Sequence, residues 1–558
     1  MTSSPFDYTL AHQDSMLGVA YFSPQPAEPL ALEQCLDHVR RLSNDEFMRA
    51  HVRQLLARLD PDALRSLFVQ GDAATRSLVL ETALLTPALD SFWTEIQSHL
   101  GSLIHSTPQV FLASVASPEH LRHAQASRLL ARNIFGHEPL PDGLPDLPIP
   151  MAALRTTDPG RIRSGLAAPQ PCSRRPTTQT YALAMDRLYG LGILDGPEMR
   201  HHASLAPWGL LRRWRLDRTV RCGSFDYRLQ GTMTSYGRGM CLENARASLA
   251  MEIVERYSSF ADIRNMRISN AQEGGEIRLA RWSQLGDEAL NPNSLRLEVP
   301  YADQPLHWLE ALDKTGQHRL VPVQSVYLFA NLDEVRLYSG LGSTGLASGN
   351  TPEEAKVSGL LEVIERDSEA VVSFDPGRCF LLESRDEKIN GLLDRYRKQG
   401  IHPVFHDLTT ELGVPCYKCF VHLAEGGLVK ATGADLSGPR AALSALTETP
   451  FPFPDGPASA PAPRDLPVRV LEDLPDFCTG SAAGNLALLE AILDDQGHVP
   501  LYANVTKREL RLPVYRTVVP GLEIVSDFDR FTRVSPRLWY NVLRQKEKDG
   551  QPPRQDQG

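Results

Sequence analysis

Cysteine is scarce in this chain. Eight residues (Cys35, Cys172, Cys222, Cys241, Cys379, Cys416, Cys419 and Cys478) are spread over 558, far too thinly for a disulfide scaffold. Long apolar runs are missing as well, since no stretch reaches the ~18 uninterrupted apolar residues of a spanning helix. The opening residues Met1-Thr2-Ser3-Ser4-Pro5-Phe6-Asp7 carry neither a basic segment nor an apolar one, so no signal peptide is expected and the expected compartment is the cytoplasm. Positive charge is in deficit: 58 Lys+Arg face 68 Asp+Glu, a formal net charge of -10. That balance argues against sequence-independent binding to nucleic acid or to an anionic membrane, and neither is expected as a partner. No G-x-x-x-x-G-K-[ST] run occurs, which excludes a P-loop enzyme.

What is present is an ordinary globular composition, 42% hydrophobic and 23% charged, long enough for more than one domain. Residues 1–138 read as a helical N-terminal module, with apolar residues at helical spacing in 30–42, 52–59 and 77–85. Asp60-Pro61-Asp62 supplies a cap and a proline suited to a helix start. Pro139, Pro141, Pro145, Pro148 and Pro150 mark a linker over 139–150. From 151 to 545, helical patterns alternate with β-branched runs such as 319–328, which predicts an α+β or α/β domain, of which α+β is the expectation, followed by a polar tail at 546–558. A second proline-rich stretch, 450–467, reads as a mobile loop within that domain. Cys416-Tyr417-Lys418-Cys419 has metal-like spacing, but without a second such pair it reads as a strand. His120 and His123 lack companions and read as ordinary surface or core histidines.

Two segments match without a gap. Residues 244–258 and 354–368 both follow Ala-basic-x-Ser-x-x-x-Glu-aliphatic-aliphatic-Glu-Arg-x-Ser, and each follows a glycine-rich run, 235–239 and 342–350. Such a match implies a duplicated unit and a pseudo-symmetric core. At about 100° per residue, Ser248, Glu252 and Glu255 fall within about 60° of one another on a helix. Glu354, Ser358, Glu362 and Glu365 span about 80° by the same geometry, beside an apolar arc of Val357, Leu360, Leu361 and Ile364.

A single acidic stripe is usually a solvated face. Its repetition, with serine and arginine kept in place, favours a site instead. If the two helices pack together, four or five carboxylates converge, and that density of like charge requires protons or a cation. An all-oxygen donor set suits Mg²⁺, which binds through a few carboxylates and substrate phosphates. A di-iron bundle would want Glu-x-x-His, whereas here Arg256 and Arg366 follow the glutamates. The glycine-rich runs and the arginines suit phosphate. The residues alone therefore predict a Mg²⁺-nucleotide site between two related helices.

These helices, the Gly345-Leu346-Ala347-Ser348-Gly349-Asn350-Thr351 run and Val518-Val519-Pro520-Gly521-Leu522-Glu523 together resemble the YcaO family, over most of residues 151–545. The resemblance implies ATP and Mg²⁺ as cofactors and a YcaO-type fold without a Walker motif. It also implies phosphorylation of a backbone amide oxygen in a peptide or protein substrate. A Cys, Ser or Thr side chain then gives an azoline, or an external sulfide gives a thioamide. By position, Arg238, Ser248, Glu252, Asn350, Arg366 and Glu448 would contact ATP, while Glu252, Glu255, Glu354, Glu362 and Glu365 would hold the metal. No catalytic acid or base is assigned. A separate substrate-recognition or sulfur-delivery protein is an expected partner, and a homodimer is one expected assembly.

The sequence departs from the family in places. Where the third motif usually has an arginine one turn before its glutamate, Ser444 precedes Glu448, with Arg440 a further turn away, and Thr449-Pro450 ends the helix. Ala347 precedes Ser348 where a serine is usual. The chain ends without a Pro-x-Pro-x-Pro tail, from which thioamidation is expected over azoline formation. The alternative reading is a non-catalytic nucleotide-binding protein that supports modification of another protein, such as ribosomal protein methylthiolation, with residues 1–138 as its interaction module.

Overall fold

The computed structural model describes residues 5–13, 21–102, 117–149, 154–167, 174–222, 226–338, 342–523, 528 and 531–548. Cys172 and residues 549–558 of the expected tail lie outside them. Helical spacing near the N-terminus becomes helices at Leu32–Arg41 (α1), Glu46–Leu56 (α2), Pro61–Gln70 (α3), Ala73–Leu85 (α4) and Pro118–Gly136 (α5). Asp60 caps α3 as its place before Pro61 dictates, its carboxylate accepting from Ala63 N at 2.9 Å.

The expectation that residues 1–138 are helical is corrected at their start. Phe6–Gln13 (β1) and Tyr21–Pro26 (β2) pair as antiparallel strands. The alternation of Phe6, Tyr8 and Leu10 puts one apolar face inward. Tyr8 is fully buried, and its ring packs edge-on against Phe47 of α2 and Tyr227, with centroids 5.3 and 6.2 Å away. The helices thus share a core with the sheet that follows. The proline-rich stretch after α5 is extended but packed. Leu147 is buried, and Lys546 Nζ donates to Pro141 O at 2.6 Å.

Among the described residues the strands form three sheets. The first runs β2-β1-β5-β4-β3, in which Leu194–Arg200 (β3) borders a hairpin of two long strands, Trp208–Arg221 (β4) and Asp226–Gly239 (β5). β1 joins β5 in parallel, and Ile263–Arg264 (β6) adds to β4. Thr177–Leu191 (α6) leads into β3. The second sheet contains Arg278–Ala280 (β7), Leu306–Asp313 (β8), His318–Pro322 (β9), Leu346–Ser348 (β10), Leu501–Asn504 (β16) and Val514–Val518 (β17), in the order β10-β17-β16-β8-β7 with β9 beside β8. The β-branched run 319–328 is a strand only as far as Pro322.

The third sheet, β14-β13-β12-β11-β15, is built from Cys379–Glu383 (β11), Val404–Asp407 (β12), Cys416–His422 (β13), Leu428–Ala434 (β14) and Val468–Val470 (β15). Cys416 and Cys419 are buried with free thiols in β13, as the strand reading required. The proline-rich stretch 450–467 has no regular structure until β15, yet it is tied down: Ser459 N donates to Gly400 O and Ala460 N to His422 O, both at 2.9 Å. Among the described residues no helix is long and apolar enough to cross a membrane.

Candidate functional site

Each sheet sends one strand into one helix, and the three helices bring their glutamates within reach of one another's charge. β5 leads to Leu242–Ser258 (α7), β10 to Pro352–Val371 (α8) and β14 to Gly438–Glu448 (α9). All three helices carry Ala-x-x-Ser-x-x-x-Glu: Ala245, Ser248 and Glu252; Ala355, Ser358 and Glu362; Ala441, Ser444 and Glu448. The third copy was missed in the sequence, where Ser444 stood out only as a departure. It is shorter because Thr449-Pro450 stops α9 before a second glutamate and arginine can follow. The approach of strand to helix is also shared. A Cβ on Gly237 would lie 2.3 Å from Ala245 O and 2.4 Å from Leu249 N, and one on Gly433 2.5 Å from Ala441 O.

Five of the predicted carboxylates converge. Glu255 is carried well above the usual carboxylate range by burial, then by Glu252, with Glu362 adding and Arg256 opposing. Glu362 is pushed up to about 7 because burial outweighs the nearby Arg256 and Arg366. Glu448 also reaches about 7, through the surrounding protein and the Glu365 carboxylate, with Glu252 adding and Arg238 and Arg366 opposing. It lies at the solvent-open mouth of the cluster. Arginines lie among the carboxylates and pair with them. Arg256 Nε donates to Glu252 Oε1 at 2.7 Å, and Arg366 pairs with Glu365. Among the described residues no three His, Cys, Asp or Glu side chains are already drawn together at ligand distance.

Glu354 and Asn350 were predicted with this group but lie elsewhere. Glu354 shares the face of Glu362, yet eight residues at 1.5 Å rise place it about 12 Å up the helix. There its Oε2 accepts from Asn350 Nδ2 at 2.8 Å and Asn350 N at 2.9 Å, while Asn350 Oδ1 accepts from Thr180 Oγ1 at 2.9 Å. Both line a cleft of about 620 Å³ that also touches Arg174, Arg175, Ser358 and Arg440. The cleft opens at the N-termini of α8 and of Ala482–Asp495 (α10). Ser358 links cleft and cluster, one turn before Glu362. Ser248 is exposed, its Oγ 3.5 Å from Arg238 N.

Two residues of the cluster were not legible in the sequence. Arg516 of β17 is fully buried beside Glu362, Arg256 and Glu255, and burial lowers it from 12.5 to about 10. Its only early signal is a lone charge in an apolar strand. Thr432 of β14 donates from Oγ1 to Glu365 Oε1 at 2.8 Å, and Ala434 N reaches Glu365 Oε2 at 3.2 Å.

These groups fit Mg²⁺ and phosphate. The donors are all carboxylate oxygens, crowded enough that three are driven toward protonation, which a divalent cation would relieve. Arg238 Nε is buried without an acceptor, and a phosphate oxygen would satisfy it. Because Glu362 has an ordinary value near 4.5 and titrates near 7 here, it must lose its proton for a cation to bind. Affinity for Mg²⁺ with nucleotide should therefore fall by about tenfold per pH unit, for each carboxyl proton, as pH drops below about 7. Calorimetry in buffers of different ionisation enthalpy reads the proton release. Without cation the sign reverses for folding: the raised value of Glu362 adds stability that is full below 4.5 and lost as pH rises through about 7.

Comparison with known proteins agrees with this geometry. Residues 236–450 match the family model described as YcaO cyclodehydratase, ATP- and Mg²⁺-binding, a segment containing all three helices. A protein of Methanothermobacter thermautotrophicus, described as uncharacterized, is 27% identical over 335 residues, 53% of this chain and 83% of its own length. A protein of Rhizobium leguminosarum bv. trifolii, described as an uncharacterized protein in the tfuA 3′ region, is 32% identical over 192 residues, 32% of this chain and 43% of its own. A solved heterocyclase in complex with substrate and cofactor is similar in fold, with a TM-score of 0.50 at 20% identity, over 69% of this chain and 59% of that one. The YcaO resemblance and the α+β fold with internal pseudo-symmetry both hold, and ATP and Mg²⁺ are the cofactors of the matched family.

Proposed function

We propose that this chain is an ATP- and Mg²⁺-dependent enzyme that activates a backbone amide of a peptide or protein by phosphorylating its oxygen, for thioamide or azoline formation. The observation that carries this reading is the gathering of Glu252, Glu255, Glu362, Glu365 and Glu448, from three equivalent helices, with Arg256 and Arg366 of those helices and Arg238 at the end of β5. An amide oxygen is a poor leaving group and a phosphorylated one is good, so the protein's task is to position phosphates and neutralise their charge. Mg²⁺ bound by these carboxylates would supply that neutralisation. Arg238 and Arg366 orient the phosphates, and Glu252, Glu255, Glu362 and Glu365 hold the cation. Asn350 and Glu354, in the neighbouring cleft, face the nucleoside end. Hence Glu354 is proposed as a nucleotide contact, not a metal ligand.

The phosphoryl group leaves ATP for the amide oxygen, a thiol, hydroxyl or sulfide adds to the amide carbon, and phosphate departs with the former amide oxygen. Purified protein supplied with ATP, Mg²⁺ and candidate peptides, with and without a sulfide source, tests the reading. Phosphate release with loss of one water from the peptide marks an azoline, and exchange of oxygen for sulfur marks a thioamide. Nucleotide binding without phosphate release or mass change across partner peptides supports the non-catalytic alternative, which the short third copy on α9 favours.

A further inference from the structure

On α8 the acidic stripe continues past the cluster. Glu369 stands one turn beyond Glu365, and Arg366 lies between them, paired to Glu365 on one side and 3.4 Å from Glu369 Oε2 on the other. Glu369 in turn pairs with Lys430 of β14. Although burial acts against its charge, Lys430, Lys418 and Arg366 hold the Glu369 carboxyl down at about 2, so it stays ionised. Behind Lys430 stands the N-terminal region. Lys430 Nζ lies 4.3 Å over the ring of Phe135, in the last turn of α5.

That turn is fastened down. Buried Lys418 Nζ donates to Ile134 O at 3.1 Å, Phe374 N donates to Asn133 Oδ1 at 2.8 Å, and Asn133 Nδ2 returns a bond to Phe374 O at 3.3 Å. The His137 ring stacks on Phe374 at 4.0 Å.

Resting on the Mg²⁺-nucleotide reading above, we infer that Glu369 and Lys430 are positioning residues for Arg366, and that α5 braces them through Phe135. Arg366 is shared between two carboxylates. Held by Glu369, it can release Glu365 to a cation and turn to phosphate. Deprived of Glu369, it keeps only Glu365 and competes with the cation for that carboxylate. The α5 segment is thereby part of the site's construction, at one remove from its ligands.

The test is calorimetric titration of the full chain with β,γ-methylene-ATP, with and without magnesium chloride, so that no turnover is needed. E369Q and K430M should each reduce the Mg²⁺-dependent gain in affinity by about tenfold, the range seen when a residue behind a metal ligand is removed. Affinity without Mg²⁺ should change less. K430R should restore the gain, and F135L, which keeps apolar volume but loses the ring face, should cost about threefold. Should E369Q fail to fold, K430M at its partly exposed site carries the same test. Wild-type binding with an unaltered Mg²⁺ gain in folded E369Q or K430M overturns this inference alone. Absence of binding by the wild-type chain overturns the functional reading, and this inference with it.

Discussion

Glu362→Gln is expected to lower ATP- and Mg²⁺-dependent phosphate release by about a hundredfold or more, while the chain melts no earlier than wild type at pH 8. The two halves of that result have one cause. Glu362 is a carboxylate that burial pushes up to about 7, so at pH 8 the empty site holds an ionised group in surroundings that disfavour it. The amide has the shape of the protonated acid and removes that cost. It also removes the negative oxygen that a hard cation needs. A structural carboxylate would behave in the opposite way, since its loss would lower the melting temperature and leave nucleotide chemistry alone. Phosphate release and a thermal melt on the same preparation separate the two.

Gly237→Ala should cost about 3 kcal/mol of folding stability, read as a fall in the urea midpoint at unchanged slope. The added Cβ would stand 2.3 Å from Ala245 O and 2.4 Å from Leu249 N. Both are backbone atoms of α7, so no side chain can swing aside. The helix must move off β5, which carries Ser248 and Glu252 out of register with α8, so nucleotide affinity should fall along with stability. Gly190, in the last turn of α6, is the contrasting case. Nothing lies within 4 Å of a Cβ there, and Gly190→Ala should raise stability by about 0.5–1 kcal/mol.

Much of the site could be read from residue order. The ungapped match of 244–258 with 354–368 located α7 and α8, and the 3.6-residue period placed Glu252, Glu255, Glu362 and Glu365 on inward faces. Period fixes a face and says nothing of height, which is why Glu354 was grouped with carboxylates about two helical turns away. Arg516 and Thr432 come from strands remote in sequence, and only the pairing of β10 with β17 and the approach of β14 to α8 bring them to Glu362 and Glu365. Ser444 reads in the sequence as a departure, because Pro450 truncates α9 and hides its kinship with the other two copies.

The fold shows the same division. Local signals gave α3 its Asp60 cap and β13 its buried cysteines. They could not show that β1 pairs in parallel with a strand more than two hundred residues away, Tyr8 opposite Leu229. Nor could composition show that a proline-rich stretch after α5 would pack its leucines beneath the helix at Pro536–Lys548 (α11) instead of hanging free.

One divalent cation site is expected among Glu252, Glu255, Glu362 and Glu365, with Glu448 beside the nucleotide. Anomalous scattering from Mn²⁺, in crystals grown with β,γ-methylene-ATP, tests it most directly. An anomalous peak is expected among those four carboxylates, with the phosphates toward Arg238 and Arg366. A peak elsewhere, or bound nucleotide with no metal between α7 and α8, would mean that the two helices do not share a cation site.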